Sequence, residues 1–189
     1  MGFVRPRGWL VAGGLAVSLL AACEPAGAQD HRGYGPWRLG MSRDAVRAVA
    51  AYGPYTDATT GSLETANGIF EEQRTPVAFI FGQGSLTRIE IRAYEGQSRD
   101  AAIDAWYRVH QYLARVHGAV ESGELQVPTT VSREDFTAAA RDVLDDKPEG
   151  SVARLQFAPA TRPLGVSVIA LLLRDAQRGY SVVLSYQDF

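Results

Sequence analysis

The sequence predicts an α+β domain, an antiparallel sheet with helices packed on one face, arranged as two α-β-β-β units joined by a long helix. Three observations predict it. Six separate runs read as strands, with the alternation of half-buried strands clear at Ile89, Ile91 and Ala93 and at Ala153, Leu155 and Phe157. Two helices, ninety residues apart, open on the same capping device at Ser42 and Ser132. Each is followed by three of the six strands.

Taken in order, the chain first shows Arg5 and Arg7, then an uncharged apolar run from Trp9 to Ala22. A basic start, a short apolar stretch and small residues before a cleavage point make a secretory signal. The run is interrupted by Gly13, Gly14 and Ser18 and is shorter than the ~20 apolar residues needed to span a bilayer. Residues 1–22 are therefore expected to be removed.

Leu20-Ala21-Ala22-Cys23 places small residues directly before the only cysteine of the chain. This resembles the lipobox of bacterial lipoproteins. The resemblance implies that Cys23 is acylated and becomes the mature N-terminus. It also implies a place on the periplasmic side of the envelope, at the outer membrane, since Glu24 rather than Asp follows the cysteine. An acyl chain contributes about 0.8 kcal/mol per buried CH₂, and stable anchoring takes more than one chain. Ala26-Gly27-Ala28 offers a different cleavage site, which would discard Cys23 and release a soluble secreted or periplasmic protein beginning at Gln29. Both routes stay open on sequence grounds.

Residues 23–36 are rich in Gly, Pro and Ala and read as a flexible tether, with an r.m.s. reach of about 20 Å. The domain is then expected over 37–189. Loss of Arg5 and Arg7 leaves seventeen Lys and Arg against twenty-one Asp and Glu, a net charge of −4. With no basic run, nucleic acid is not an expected partner. With Cys23 acylated or removed the fold has no disulfide, so the hydrophobic core must hold it alone.

The first unit is expected over 39–95. Ser42 caps a helix running to about Ala51, Asp44 complements the helix dipole, and Met41 and Val46 form a hydrophobic staple. Gly53-Pro54 ends it. Strands follow at Ile69–Gln73, Val77–Phe81 and Leu86–Ala93, the last two joined by Gly82-Gln83-Gly84-Ser85. A linking helix over 98–117 carries Ile103, Trp106, Val109/His110, Leu113 and Val116 on one face and stops at Gly118. On its wet side Asp104 and Arg108 have the spacing of an ion pair, worth about 0.3–0.5 kcal/mol. The second unit is expected over 130–189. Ser132 caps, Val131 and Phe136 staple, Asp135 holds the capping-box position, and the helix runs to about Leu144. Strands at Val152–Ala158, Val166–Leu173 and Tyr180–Tyr186 complete it, the middle one apolar on both faces as an interior strand would be.

Leu39-Gly40-Met41-Ser42, with Val46 and Gly53-Pro54, resembles the helix opening of small outer-membrane lipoproteins of the SmpA/OmlA type and of the β-lactamase-inhibitor-like fold. That resemblance implies a non-catalytic binding or envelope-assembly accessory protein, with an envelope protein as partner.

The sequence itself supplies no reaction. Gly82-Gln83-Gly84-Ser85 has neither the spacing of a nucleophile elbow nor that of a phosphate loop. His110 and His117 lie about two turns apart, too far to share a metal, so no metal and no cofactor are expected. His110 reads as bordering the core and His117 as facing the helix C-terminus. Asp142, Asp145, Asp146 and Glu149 lack calcium-loop spacing and read as a solvated helix end. The candidate binding residues are aromatic: Tyr34, Trp37, Tyr52 and Tyr55 gather around the first helix, as partner-contacting aromatics do. The alternative, on the soluble route, is a secreted inhibitor or ligand-binding module.

Overall fold

A computed structural model describes residues 32–122, 125, 127–146, 153–160, 165–175, 177 and 179–188. The signal segment, Cys23 and the tether up to His31 lie outside the described residues, as do Glu149 and Phe189.

The chain is α+β. A two-stranded ribbon, β1 (Gly33–Tyr34) and β2 (Trp37–Arg38), precedes α1 (Arg43–Arg47) and a single 3-10 turn, Ala50–Tyr52. Then come β3 (Thr56–Asp57), β4 (Leu63–Phe70), β5 (Gln73–Gly82) and β6 (Ser85–Gly96). After α2 (Arg99–His117) follow β7 (Val120–Ser122), α3 (Arg133–Asp145), β8 (Ala153–Pro159), β9 (Val166–Asp175) and β10 (Gly179–Asp188). Strands β3 to β10 form one eight-stranded antiparallel sheet in the order β3-β4-β5-β6-β10-β9-β8-β7.

Both helix caps form as the sequence dictates. Ser42 Oγ accepts from the Ala45 amide at 3.2 Å, and Ser132 Oγ from the Asp135 amide at 3.1 Å. Ser98 does the same for α2, accepting from Ala101 N–H at 3.2 Å, and Gly118, at φ 82°, ends that helix. The Asp135 carboxylate takes a different bond from the one a capping box makes: it accepts from the Ser132 hydroxyl at 2.7 Å. The first helix is shorter than expected, because the regular α-helix ends at Arg47 and the 3-10 turn carries the chain to Gly53.

Four strands were not legible. β1, β2, β3 and β7 are two or three residues long, too short to show a period. Residues 33–36 belong to the folded body, since Gly33 and Tyr34 pair with Arg38 and Trp37. The expected strand Ile69–Gln73 is divided by a two-residue hairpin turn at Glu71 and Glu72, whose φ values are 49° and 64°. Such turns favour Asn-Gly, which tolerates positive φ, so Glu-Glu gave no turn signal. β4 instead begins at Leu63, and a bulge between Thr65 and Gly68 interrupts its pairing with β5. Gly68 is required there: a Cβ would lie 2.3 Å from Val77 Cγ2 and 2.7 Å from the Thr75 carbonyl.

Side chains from several strands align in rows on the buried side of the sheet. One row runs Val77, Ile91, Leu184, Ala170 and Phe157 across five strands. The next runs Leu63, Phe79, Ile89, Tyr186 and Val168. All ten are buried. Among the alternate residues Ile80, Glu90, Arg92, Ile169 and Leu171 are half-buried, whereas the small Ala78, Ser167 and Ser185 are buried. β9 is paired on both sides, which accounts for its continuous apolar run.

Helix α2 sends Ile103, Trp106, Val109 and Leu113 into the same core. Trp106 stacks on Phe157 of β8, with ring centroids 5.0 Å apart, and meets Phe136 of α3 edge-on at 5.6 Å. Asp104 does not pair with Arg108; its carboxylate takes Arg133 of α3 at 2.7 Å. Arg99–Asp145 at 2.6 Å and Asp100–Arg141 at 2.8 Å continue an antiparallel ladder between the two helices. Asp145, read as part of a solvated acidic end, is thus a partner of Arg99, and that contact holds its carboxyl below the usual range. Each exposed pair is worth about 0–1 kcal/mol, so the ladder sets register while Trp106 supplies the cohesion. Trp106→Ala is expected to cost about 3–5 kcal/mol, measured as a lower urea midpoint.

His110 is buried, its ring edge-on to Phe157 at 5.5 Å and tilted against Phe136 at 5.4 Å. From its own helix only Gln111 approaches its Nδ1, at 3.5 Å. Burial pushes this imidazole below its ordinary pKa of 6.5, so the unfolded chain takes up a proton that the fold resists. Its contribution is therefore complete above that ordinary value and is lost as pH falls. Urea midpoints are expected to drop as the pH falls below that ordinary value, and His110→Phe to flatten that slope.

Candidate functional site

The ribbon β1–β2 places the first two candidate aromatics. Gly35 turns it at φ 56°, and Gly33 must be glycine, because a Cβ would lie 2.0 Å from the Trp37 carbonyl oxygen. Arg38 braces the turn, donating to the carbonyls of Gly35 at 2.5 Å and Trp37 at 3.0 Å. Tyr34 and Trp37 are consequently driven inward, and Trp37 is fully buried against Phe79 and Tyr52, each 4.8 Å away by ring centroid.

Tyr34 meets two tyrosines the sequence did not single out. Its ring lies 6.1 Å from Tyr112 of α2 and 5.8 Å from Tyr186 of β10. The Tyr34 hydroxyl donates to the Ile69 carbonyl at 2.7 Å. The Tyr186 hydroxyl stands between Tyr112 Oη at 3.1 Å and His117 Nε2 at 3.0 Å. His117 therefore serves this cluster, not the helix end alone. Burial pushes the Tyr34, Tyr112 and Tyr186 phenols up from their ordinary pKa, which keeps them protonated.

These residues bound a cavity of about 480 Å³. Gly33 to Arg38 form one wall, Tyr52 and Ile69 another, and Tyr112, Arg115, Val116 and His117 a third, with Tyr186 among the lining residues. At its mouth Glu71 pairs with Arg115, whose guanidinium also lies 5.8 Å from the centre of the Tyr112 ring. Ile69 on the same rim is the large apolar side chain left exposed among the described residues, at 44%.

Three of the four candidate aromatics, Tyr34, Trp37 and Tyr52, thus line one cavity. Tyr55 does not line it: its ring packs on Phe79 at 6.0 Å and its hydroxyl donates to the Val49 carbonyl at 2.9 Å. The unforeseen members are Glu71, Tyr112, Arg115, His117 and Tyr186. Tyr186 carried the one usable signal, a tyrosine in register with core residues, whose hydroxyl must find a partner inside. A second depression, about 500 Å³, lies between Glu90, Arg92, Glu95, Arg174, Asp175 and Tyr180. Its volume is similar, but its lining is largely charged, so the aromatic cavity is the stronger candidate.

Among the described residues, no group of three His, Cys, Asp or Glu side chains is placed to hold a metal ion, and no helix is long and apolar enough to cross a membrane. No protein-family model, curated protein or solved structure matches the chain.

The hydroxyl of Tyr186 is the shared partner of buried His117 and half-buried Tyr112. Tyr186→Phe removes it while keeping the ring, so a loss of roughly 1–3 kcal/mol is expected, measured by urea denaturation.

Proposed function

We propose that this chain is a lipid-anchored accessory protein of the bacterial envelope that acts by binding and not by catalysis. The observation that carries the reading is the convergence of Tyr34, Trp37 and Tyr52 on one cavity, at the point where the described chain begins after the tether. An aromatic cavity with a few converging polar groups is what binding sites are made of. Its phenols, held protonated, suit hydrogen bonding better than nucleophilic attack. Leu20-Ala21-Ala22-Cys23 supports the anchor on Cys23 and, with Glu24, the outer membrane. An envelope protein is the partner in this reading. A mature charge of −4 without a basic run argues against nucleic acid.

The body is read as two α-β-β-β units with the helices on one face of the sheet. The strand order supports this, because β4-β5-β6 and β10-β9-β8 mirror each other about the β6–β10 pair. The stack of Trp106 between Phe136 and Phe157 supports the common helical face. A second reading is favoured by Ala26-Gly27-Ala28: a soluble inhibitor or ligand-binding module released by cleavage there.

Intact mass of the mature protein from fractionated cells decides between them. A membrane-bound species beginning at Cys23 with added acyl mass is expected. A soluble species beginning at Gln29 would overturn the anchored reading.

A further inference from the structure

We propose that the aromatic cavity binds a neutral, hydroxyl-rich ligand, a saccharide end group, with Tyr112 and Glu71 as its polar contacts. This rests on reading the cavity as the binding site and goes on to name the ligand class.

The first ground is a hydrogen-bond relay of either polarity. His117 Nε2, Tyr186 Oη and Tyr112 Oη form a chain with links of 3.0 and 3.1 Å. If Nε2 accepts, Tyr186 donates to it and Tyr112 donates to Tyr186. If Nε2 carries the proton, every link reverses and the Tyr112 hydroxyl is free to donate into the cavity. Tyr112, half-buried, is the end of the chain nearest the mouth. Such a relay presents a donor or an acceptor on demand, which matches a ligand whose own hydroxyls are both.

A second ground is the charge inside. The aromatic lining is neutral, the mouth charges Glu71 and Arg115 pair with one another, and the guanidinium of Arg38 on the wall is engaged by the carbonyls of Gly35 and Trp37. An ion brought inside would lose water with no unengaged counter-charge on the walls. Tyr52 and Tyr112, both half-buried, and exposed Ile69 supply the apolar surface that the C–H face of a sugar ring covers.

The third ground is backbone strain. Glu71 and Glu72 both adopt the left-handed region, where Asn-Gly would rest with less cost. Strain of this kind gathers at binding and catalytic sites. Glu71 is the residue that this turn carries to the cavity mouth, where Arg115 takes its Oε1 and its Oε2 is placed to accept from a sugar hydroxyl.

The test is a titration of the full chain, held in a detergent without a sugar headgroup, with the β-1,4-linked disaccharide of N-acetylglucosamine. Amide shifts report the place of binding, and sodium phosphate serves as the charged control. Saturable binding that moves the amides of Ile69, Glu71 and Tyr112 is expected, with no displacement by phosphate. Tyr112→Phe should weaken it roughly tenfold. Replacing Glu71 and Glu72 together by Asn and Gly should raise the melting temperature by roughly 2–4 °C yet weaken binding about tenfold. No saturable binding, binding unchanged in both variants, or displacement by phosphate would each overturn the saccharide assignment. None of these results touches the anchored reading, which the mass of the mature protein decides separately.

Discussion

The pairing of β6 with β10 joins the two halves of this molecule. Each side of it is a run of strands consecutive in the chain, β4-β5-β6 and β8-β9-β10. The ladder between β6 and β10 is what connects these local units, and it brings Ile89 against Tyr186 and Ile91 against Leu184. It closes a loop that spans α2, β7, α3, β8 and β9, so its entropic cost must be met by burial of the rows it completes. Helix α2 lies over this seam, in contact with both β6 and β10.

The cavity follows from that seam. Tyr186 occupies a core position in the row of Phe79, Ile89 and Val168, but it carries a hydroxyl. A buried hydroxyl without a partner would cost more than a hydrogen bond returns. His117 at the end of α2 and Tyr112 one turn earlier meet that need, which fixes how α2 must lie on the sheet. Tyr34 then packs over the pair from the ribbon, and the space left between ribbon, helix end and β4 is the cavity. One polar atom in the core thus ties three distant segments together.

Much of the architecture was legible because it is locally encoded. Ser42 and Ser132 cap their helices through their own next turns, and the alternation through Ile89, Ile91 and Ala93 declares a strand without reference to its neighbours. What escaped is what depends on contacts far along the chain. Glu71-Glu72 turns without a turn sequence, and the start of β4 at Leu63 is masked by Asn67-Gly68, residues that belong to a bulge. The same division holds at the site. Tyr34, Trp37 and Tyr52 are close in sequence and were found together, whereas Tyr112 and Tyr186 stand 74 residues apart and only the sheet brings them together.

The bond from the Tyr34 hydroxyl to the Ile69 carbonyl has a further consequence for the molecule among its neighbours. Beyond Glu64 no described strand lies along the outer side of β4, since β3 pairs only with Leu63 and Glu64. Open strand edges recruit other strands. By seating a phenol on the Ile69 carbonyl, the ribbon covers that stretch of the sheet's border. The ribbon therefore occupies part of an open strand edge as well as forming a wall of the cavity.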